Sequence, residues 1–223
     1  MPGSEIGDLD VTLELTENDR QLFLMGTLDV LRDKEPLLDK LDSLFESKRI
    51  VGIKIFPGHD PIYPTDKRLI SVYELCIKYD LPVVIHTGWN SNNPDVAKYN
   101  DPKHIIKIAT NFPQLKIVIS HFFWPRVEYC HDLTRPFNNI YFDTAALADD
   151  EVIKQTGLEK IKKVLVESIN ERSDKVLFGT DYAMCDIKKH ISLVNSLKIG
   201  EERRERIFCR NAMELFKLRS LDY

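Results

Sequence analysis

The chain has 223 residues, a formal net charge of −4 and an isoelectric point near 5.9. That length can bury the core of one sizeable domain, and no composition shift divides it, so residues 1–223 read as a single unit. The mild acidity argues against a phosphate-tracking nucleic-acid binder or a polybasic membrane protein, and no apolar stretch approaches the roughly 20 residues that cross a bilayer.

Cys76, Cys130, Cys185 and Cys209 are widely spaced and form no CxxC pair. The N-terminus has no basic segment followed by an apolar run. Both features point to a cytoplasmic protein with reduced thiols.

Along the chain, DVTLEL (Asp10–Leu15) alternates apolar and polar residues and reads as a strand or as half of an exposed hairpin. FLMGTLDV (Phe23–Val30) is an apolar run, followed by Leu37, Leu38, Leu41, Leu44 and Phe45 at helical spacing. VGIKIF (Val51–Phe56) precedes a proline-rich loop and a helix marked by Leu69, Ile70, Tyr73, Cys76 and Ile77. PVVIH (Pro82–His86) leads into an asparagine-rich loop and a helix opened by Asp101 as cap and Pro102 in its first turn. KIVISH (Lys116–His121), NIYFDTA (Asn139–Ala145) and KVLFGTDY (Lys175–Tyr182) complete the series, with helices around Ile161–Leu165, after Asp186, and around Ile207–Phe216.

Six strand–helix repeats about 25 to 35 residues long imply a parallel sheet with helical crossovers. An open doubly wound sheet often carries GxGxxG or a P-loop, and neither occurs here. The fold class expected is α/β, a TIM-barrel-like (β/α) domain that is incomplete. A closed eightfold barrel takes about 250 residues, against six strands readable in this chain. Unpaired sheet edges invite pairing, which makes a homodimer a natural expectation unless another segment covers them.

In such a sheet all strand carboxyl ends share one rim, where barrel enzymes place their chemistry. His86, His121 and Asp181 end three of the strands. Asp143 closes a fourth, where capping of the following loop is the simpler role. Lys54, between Ile53 and Ile55, is turned away from both by the period of two and either neutralises a neighbouring carboxylate or meets substrate. Two imidazoles and a carboxylate suit a divalent transition metal, or metal-free proton transfer. His59, His104, His131 and His190 lie on loops or helices and are expected at the surface.

At these residues the sequence resembles a known family. GIKIFPG, YELCIKYDLPVVIHTG, FPQLKIVISH, NIYFDTA, KVLFGTDY and RERIFCRNAMELF are similar, in order and spacing, to the metal-dependent amidohydrolase superfamily, over about Arg20 to Leu218. The nearest branch is the amidohydrolase-2 group, which includes the aminocarboxymuconate-semialdehyde and resorcylate-type decarboxylases. The resemblance implies a (β/α) barrel with a divalent metal, zinc above all, at the strand ends. His86, His121 and Asp181 would be its ligands, and His121 would polarise water or substrate while Asp181 handles the proton. Members of the family begin with an H-x-H pair on their first strand. No histidine precedes His59 here, and FLMGTLDV resembles the family's third strand, so the N-terminal strands are missing by this comparison.

The activity implied is hydrolysis of a small-molecule substrate by metal-activated water attacking a carbonyl carbon. Decarboxylation by the same residues and a non-catalytic barrel are the alternatives. Trp89 and Trp124, directly after HTG and HFF, would wall the pocket, and Lys54 would contribute to substrate binding.

Overall fold

The computed structural model describes residues 9–19, 21–28, 30, 36–88 and 94–218. Six strands form one sheet: β1 (Leu24–Thr27), β2 (Ile50–Ile55), β3 (Val83–Ile85), β4 (Ile117–Ile119), β5 (Ile140–Asp143) and β6 (Val176–Leu177). Their spatial order follows chain order and every neighbouring pair is parallel. This is the winding of a (β/α) barrel. Among the described residues β1 and β6 do not pair with each other, so the sheet stays open.

The connecting helices are α1 (Leu9–Leu15), α2 (Pro36–Glu46), α3 (Ile70–Tyr79), α4 (Pro102–Asn111), α5 (Val127–Thr134), α6 (Asp150–Thr156), α7 (Leu158–Glu171) and α8 (Ile187–Asn195). A last helical run joins α9 (Glu201–Glu205) to α10 (Asn211–Leu215) through a π turn at Arg206–Arg210. The caps are where the sequence puts them. Asp101 accepts from Lys103 N at 2.9 Å ahead of Pro102, and Asp186 accepts from Lys189 N at 3.0 Å.

DVTLEL is helix and not strand. Val11 and Leu15, which would share a strand face with Leu13, are 51% and 80% exposed. Leu9 and Leu13, four apart on a helix, are the residues turned to the core. The apparent alternation is a 3.6-residue stripe sampled over too few turns.

Strand parity sorts the side chains into two layers. Ile53, Ile55, Val83, Ile85, Ile117, Ile119, Ile140, Phe142 and Val176 join the main core beneath the helices. Val84, Val118 and Leu177 point the other way and form a second cluster with Leu215, with Met25, Tyr141, Ala212 and Phe216 packed against it. Lys54 pairs in register with Val84, and His86, Ser120 and Asp143 stand two residues beyond Val84, Val118 and Tyr141. Period-two alternation therefore carries these polar groups to the same face, at its carboxyl-end rim.

The C-terminal run borders the β6 edge. Phe178 N donates to Ile207 O at 2.9 Å, and Asn211 Nδ2 donates to Ser173 O and Val176 O, each at 2.7 Å. Beyond it, Lys217 Nζ bonds Tyr79 O at 3.0 Å and pairs with Asp80 at 2.9 Å, tying the chain end beneath β3.

Candidate active site

The rim is organised around the turn that follows β4. His121, Phe122 and Phe123 all have left-handed backbone, with φ of 64°, 50° and 53°. Such values are outliers for bulky side chains and need local bonds to hold them. Those bonds are present. His121 N donates to Asp143 Oδ1 at 2.9 Å, Phe123 N to Thr87 Oγ1 at 3.0 Å, and Thr87 Oγ1 makes a short bond to Ser120 O. Asp143, read from sequence as a cap for its own loop, does take Ala145 N at 3.1 Å, but it also reaches across to the next strand's histidine.

His121 is 5% exposed and its Nδ1 bonds Ala145 O at 3.2 Å. Against a carbonyl acceptor Nδ1 must carry the proton, which leaves Nε2 with a free lone pair. The His121 and His86 rings are 5.0 Å apart between centroids. His59 is exposed, as expected, yet its ring stands 4.6 Å from His86, while Pro57, Gly58 and Asp60 around it are buried. The tight turn that places it, with Asp60 N donating to Phe56 O at 2.9 Å, has no periodic signature a sequence reading could use.

Lys54 Nζ donates to Ser120 Oγ at 2.6 Å and lies 5.5 Å from the Phe56 ring centroid. Burial lowers its pKa, while the charges of Asp143 and Asp181 work to raise it. Burial also lowers the pKa of His59, His121 and, strongly, His86; the neighbouring Lys54 adds to all three. The rim thus disfavours charge on its imidazoles, while the two aspartates work to keep it on Lys54. Asp181, on an exposed left-handed residue after β6, acts electrostatically on Lys54, His59 and His121.

Trp124 packs at the loop after His86: a side chain at Gly88, whose φ is +115°, would come within 3.1 Å of the indole nitrogen. Trp89 lies outside the described residues. His104 stacks 4.6 Å from Tyr63, and His131 and His190 are buried away from the rim, bonded to Ser168 Oγ at 2.8 Å and Asp186 O at 2.8 Å. His131 and His190 are core histidines, not the surface groups their helical positions suggest, while His104 is half-buried.

The donors fit a divalent metal in kind. Two unprotonated imidazoles 5.0 Å apart match the roughly 5 Å between ring centres on one tetrahedral ion with bonds of about 2 Å. In number the set is smaller: among the described residues no three His, Cys, Asp or Glu side chains gather closely enough to form a ready-made cage.

The sequence matches the amidohydrolase family model over residues 8–218. No curated protein sequence matches the chain. Among solved structures it is similar to an uncharacterised TIM-barrel protein from Bordetella bronchiseptica, at 24% identity and a TM-score of 0.75, covering 93% of this chain and 71% of that one. It is similar to 2,6-dihydroxybenzoate decarboxylase complexed with 2,6-dihydroxybenzoate, at 19% identity and a TM-score of 0.70, covering 93% and 75%. A third is a dihydroxybenzoic acid decarboxylase from Polaromonas sp. JS666 with bound manganese and an inhibitor, at 17% identity and a TM-score of 0.68, covering 93% and 73%. At these identities the likeness establishes the TIM-barrel type of fold.

Proposed function

The chain belongs to the amidohydrolase family, and from that premise we propose that it is a metal-dependent decarboxylase of a small carboxylate rather than a hydrolase. The observation that carries the reading is Lys54, an ammonium set among neutral imidazoles with one of its three donors on Ser120 Oγ. Such a site favours a substrate that brings negative charge. The dihydroxybenzoate enzymes of the same fold support the choice of reaction, and the manganese in one of them supports a divalent ion without singling out zinc.

In this reading Lys54 pairs with the anionic group of the substrate. His86 and His121 would hold the metal through their proton-free ring nitrogens, and Asp181, which is exposed and not gathered with them into a three-ligand cage, would complete the set on metal binding. A divalent ion held there would supply positive charge to offset the charge that develops as the bond breaks. The carbon–carbon bond to the carboxylate breaks, its electron pair stays on the substrate carbon, and carbon dioxide leaves. Asp181 takes a proton from solvent and delivers it to that carbon. His121, fixed by Asp143 and Ala145, polarises the substrate, and Trp124 walls it from water.

The test is carbon dioxide release from a panel of hydroxybenzoates and unsaturated acids by manganese- or zinc-loaded protein. Asp181→Asn is expected to lower turnover by at least about 100-fold, and Lys54→Met to raise KM first. Product from amides or lactones without carbon dioxide would establish hydrolysis instead. Absence of turnover on both panels, with no metal retained after loading, would mark a non-catalytic barrel.

A further inference from the structure

We propose that Asp143 is a positioning residue: it fixes the His121 imidazole in one tautomer and one direction by clamping both the backbone that carries the ring and the carbonyl that receives its Nδ1–H. The inference concerns His121 alone and stands whichever reaction the site performs.

The argument is a closed circuit of bonds. One carboxylate oxygen, Asp143 Oδ1, accepts from His121 N at 2.9 Å and from Ala145 N at 3.1 Å. The carbonyl of that same Ala145 receives His121 Nδ1 at 3.2 Å. Both ends of the imidazole, its Cα and its ring nitrogen, are therefore referred to a single oxygen on the neighbouring strand. An ordinary loop cap needs the Ala145 bond only.

The second bond has a specific load to carry. His121 opens three successive left-handed residues, none of them glycine, and Ala146 after the accepting carbonyl is left-handed as well, with φ 64°. Without the carboxylate, His121 N at the head of that turn loses its acceptor and Ala145 O loses its fixed direction. Which nitrogen of a neutral imidazole bears the proton is a real choice. The Ala145 carbonyl resolves it in favour of Nδ1, leaving Nε2 as the lone-pair nitrogen for a metal or a substrate. Asp143 lies at a strand end with Lys54 nearby, so its charge also offsets that ammonium. The two roles separate on substitution.

The experiment is 15N–1H correlation of the imidazole nitrogens in the full chain, purified with chelator so that no metal imposes a tautomer. The His121 signals are assigned with His121→Gln. In the natural protein His121 is expected as the Nδ1-protonated form. Asp143→Asn keeps an oxygen for both N–H groups and loses the charge, and is expected to retain that form. Asp143→Ala is expected to lose it, with the Nε2-protonated form appearing. A purely structural Asp143 would lower the melting temperature in Asp143→Ala while the His121 signals stayed in place, and that outcome overturns the proposal. So does a folded Asp143→Asn in which the Nδ1-protonated form is lost, since charge and not the clamp would then orient the ring. If Asp143→Ala does not fold, Asp143→Ser, whose shorter side chain cannot serve His121 N and Ala145 N together, takes its place with the same two outcomes.

Discussion

A lysine between two isoleucines on a parallel strand has to face away from both, and Lys54 does, toward Ser120 and the rim histidines. Its amine is half-buried without a carboxylate in hydrogen-bond contact among the described residues: Asp143 spends Oδ1 on backbone N–H groups, and Asp181 acts through space. Lys54→Met should therefore leave folding stability unchanged or raise it by about 1 kcal/mol, because a desolvated charge goes and an apolar stem of similar length stays. The same change should weaken binding of a benzoate-type anion by about tenfold or more, the loss of one charge-assisted bond. Thermal melts and titration calorimetry on one preparation read both quantities. Stability lost without affinity lost would make Lys54 a structural counter-charge. Lys54, His86 and His121 could be placed on the rim from sequence because each interrupts or follows an apolar strand, a signal of period two, whereas Asp181, expected at a strand end, stands four residues past β6 and is exposed. His59 was not, because a turn and not a period carries it to His86. The partner of the His121 ring is a backbone carbonyl, which no residue type announces.

At the scale of elements, most of the strands and helices could be read because burial on both faces leaves uninterrupted apolar runs, and because Asp101–Pro102 and Asp186 are start signals with a mechanism. α1 was misread as a strand for want of length, since a seven-residue helix shows less than two full turns. The way the chain end is fastened had no sequence signal, as it depends on residues far apart in order. Asp80, in the left-handed C-cap of α3, pairs with Lys116 at 2.7 Å and Lys217 at 2.9 Å. Burial works to raise its pKa, but the bonds from these two lysines outweigh it and hold the carboxyl below its ordinary value. A carboxylate with a depressed folded pKa stabilises above its unfolded value and loses that contribution as pH falls through the folded one. The tether of Phe216–Leu218 should accordingly loosen below about pH 3.9, seen as faster amide exchange there than at pH 6. Asp80→Asn should show the loosened exchange at both pH values. A tail whose exchange ignores both changes is held by Phe216 packing instead.

At the scale of the molecule, the open sheet poses a problem that the C-terminal run solves for β6. Phe142 N and Thr144 N of β5 take the carbonyls of Lys175 and Leu177, so the Val176 carbonyl points outward from the sheet. Asn211 meets it, together with Ser173 O, and Phe178 N turns to Ile207. Four residues later Leu215 enters the second apolar cluster on Val84, Val118 and Leu177. One helical run thus guards an edge and covers a face, and substitution can part the two. Asn211→Leu keeps the volume and strips two carbonyls of their donor, at a cost of roughly 2–4 kcal/mol from two buried acceptors left unpaired. Because the Val176 carbonyl lies on a strand edge, its alternative donors are the edges of other molecules, so this variant should self-associate as concentration rises. Leu215→Ala removes a buried side chain for a similar cost, roughly 2–4 kcal/mol, but leaves Asn211 on the edge and should sediment as the natural protein does. Denaturant melts would show comparable losses, while sedimentation would separate the pair. Equal association of both variants would mean that covering the inner face, rather than satisfying the β6 edge, is what keeps copies of the chain apart.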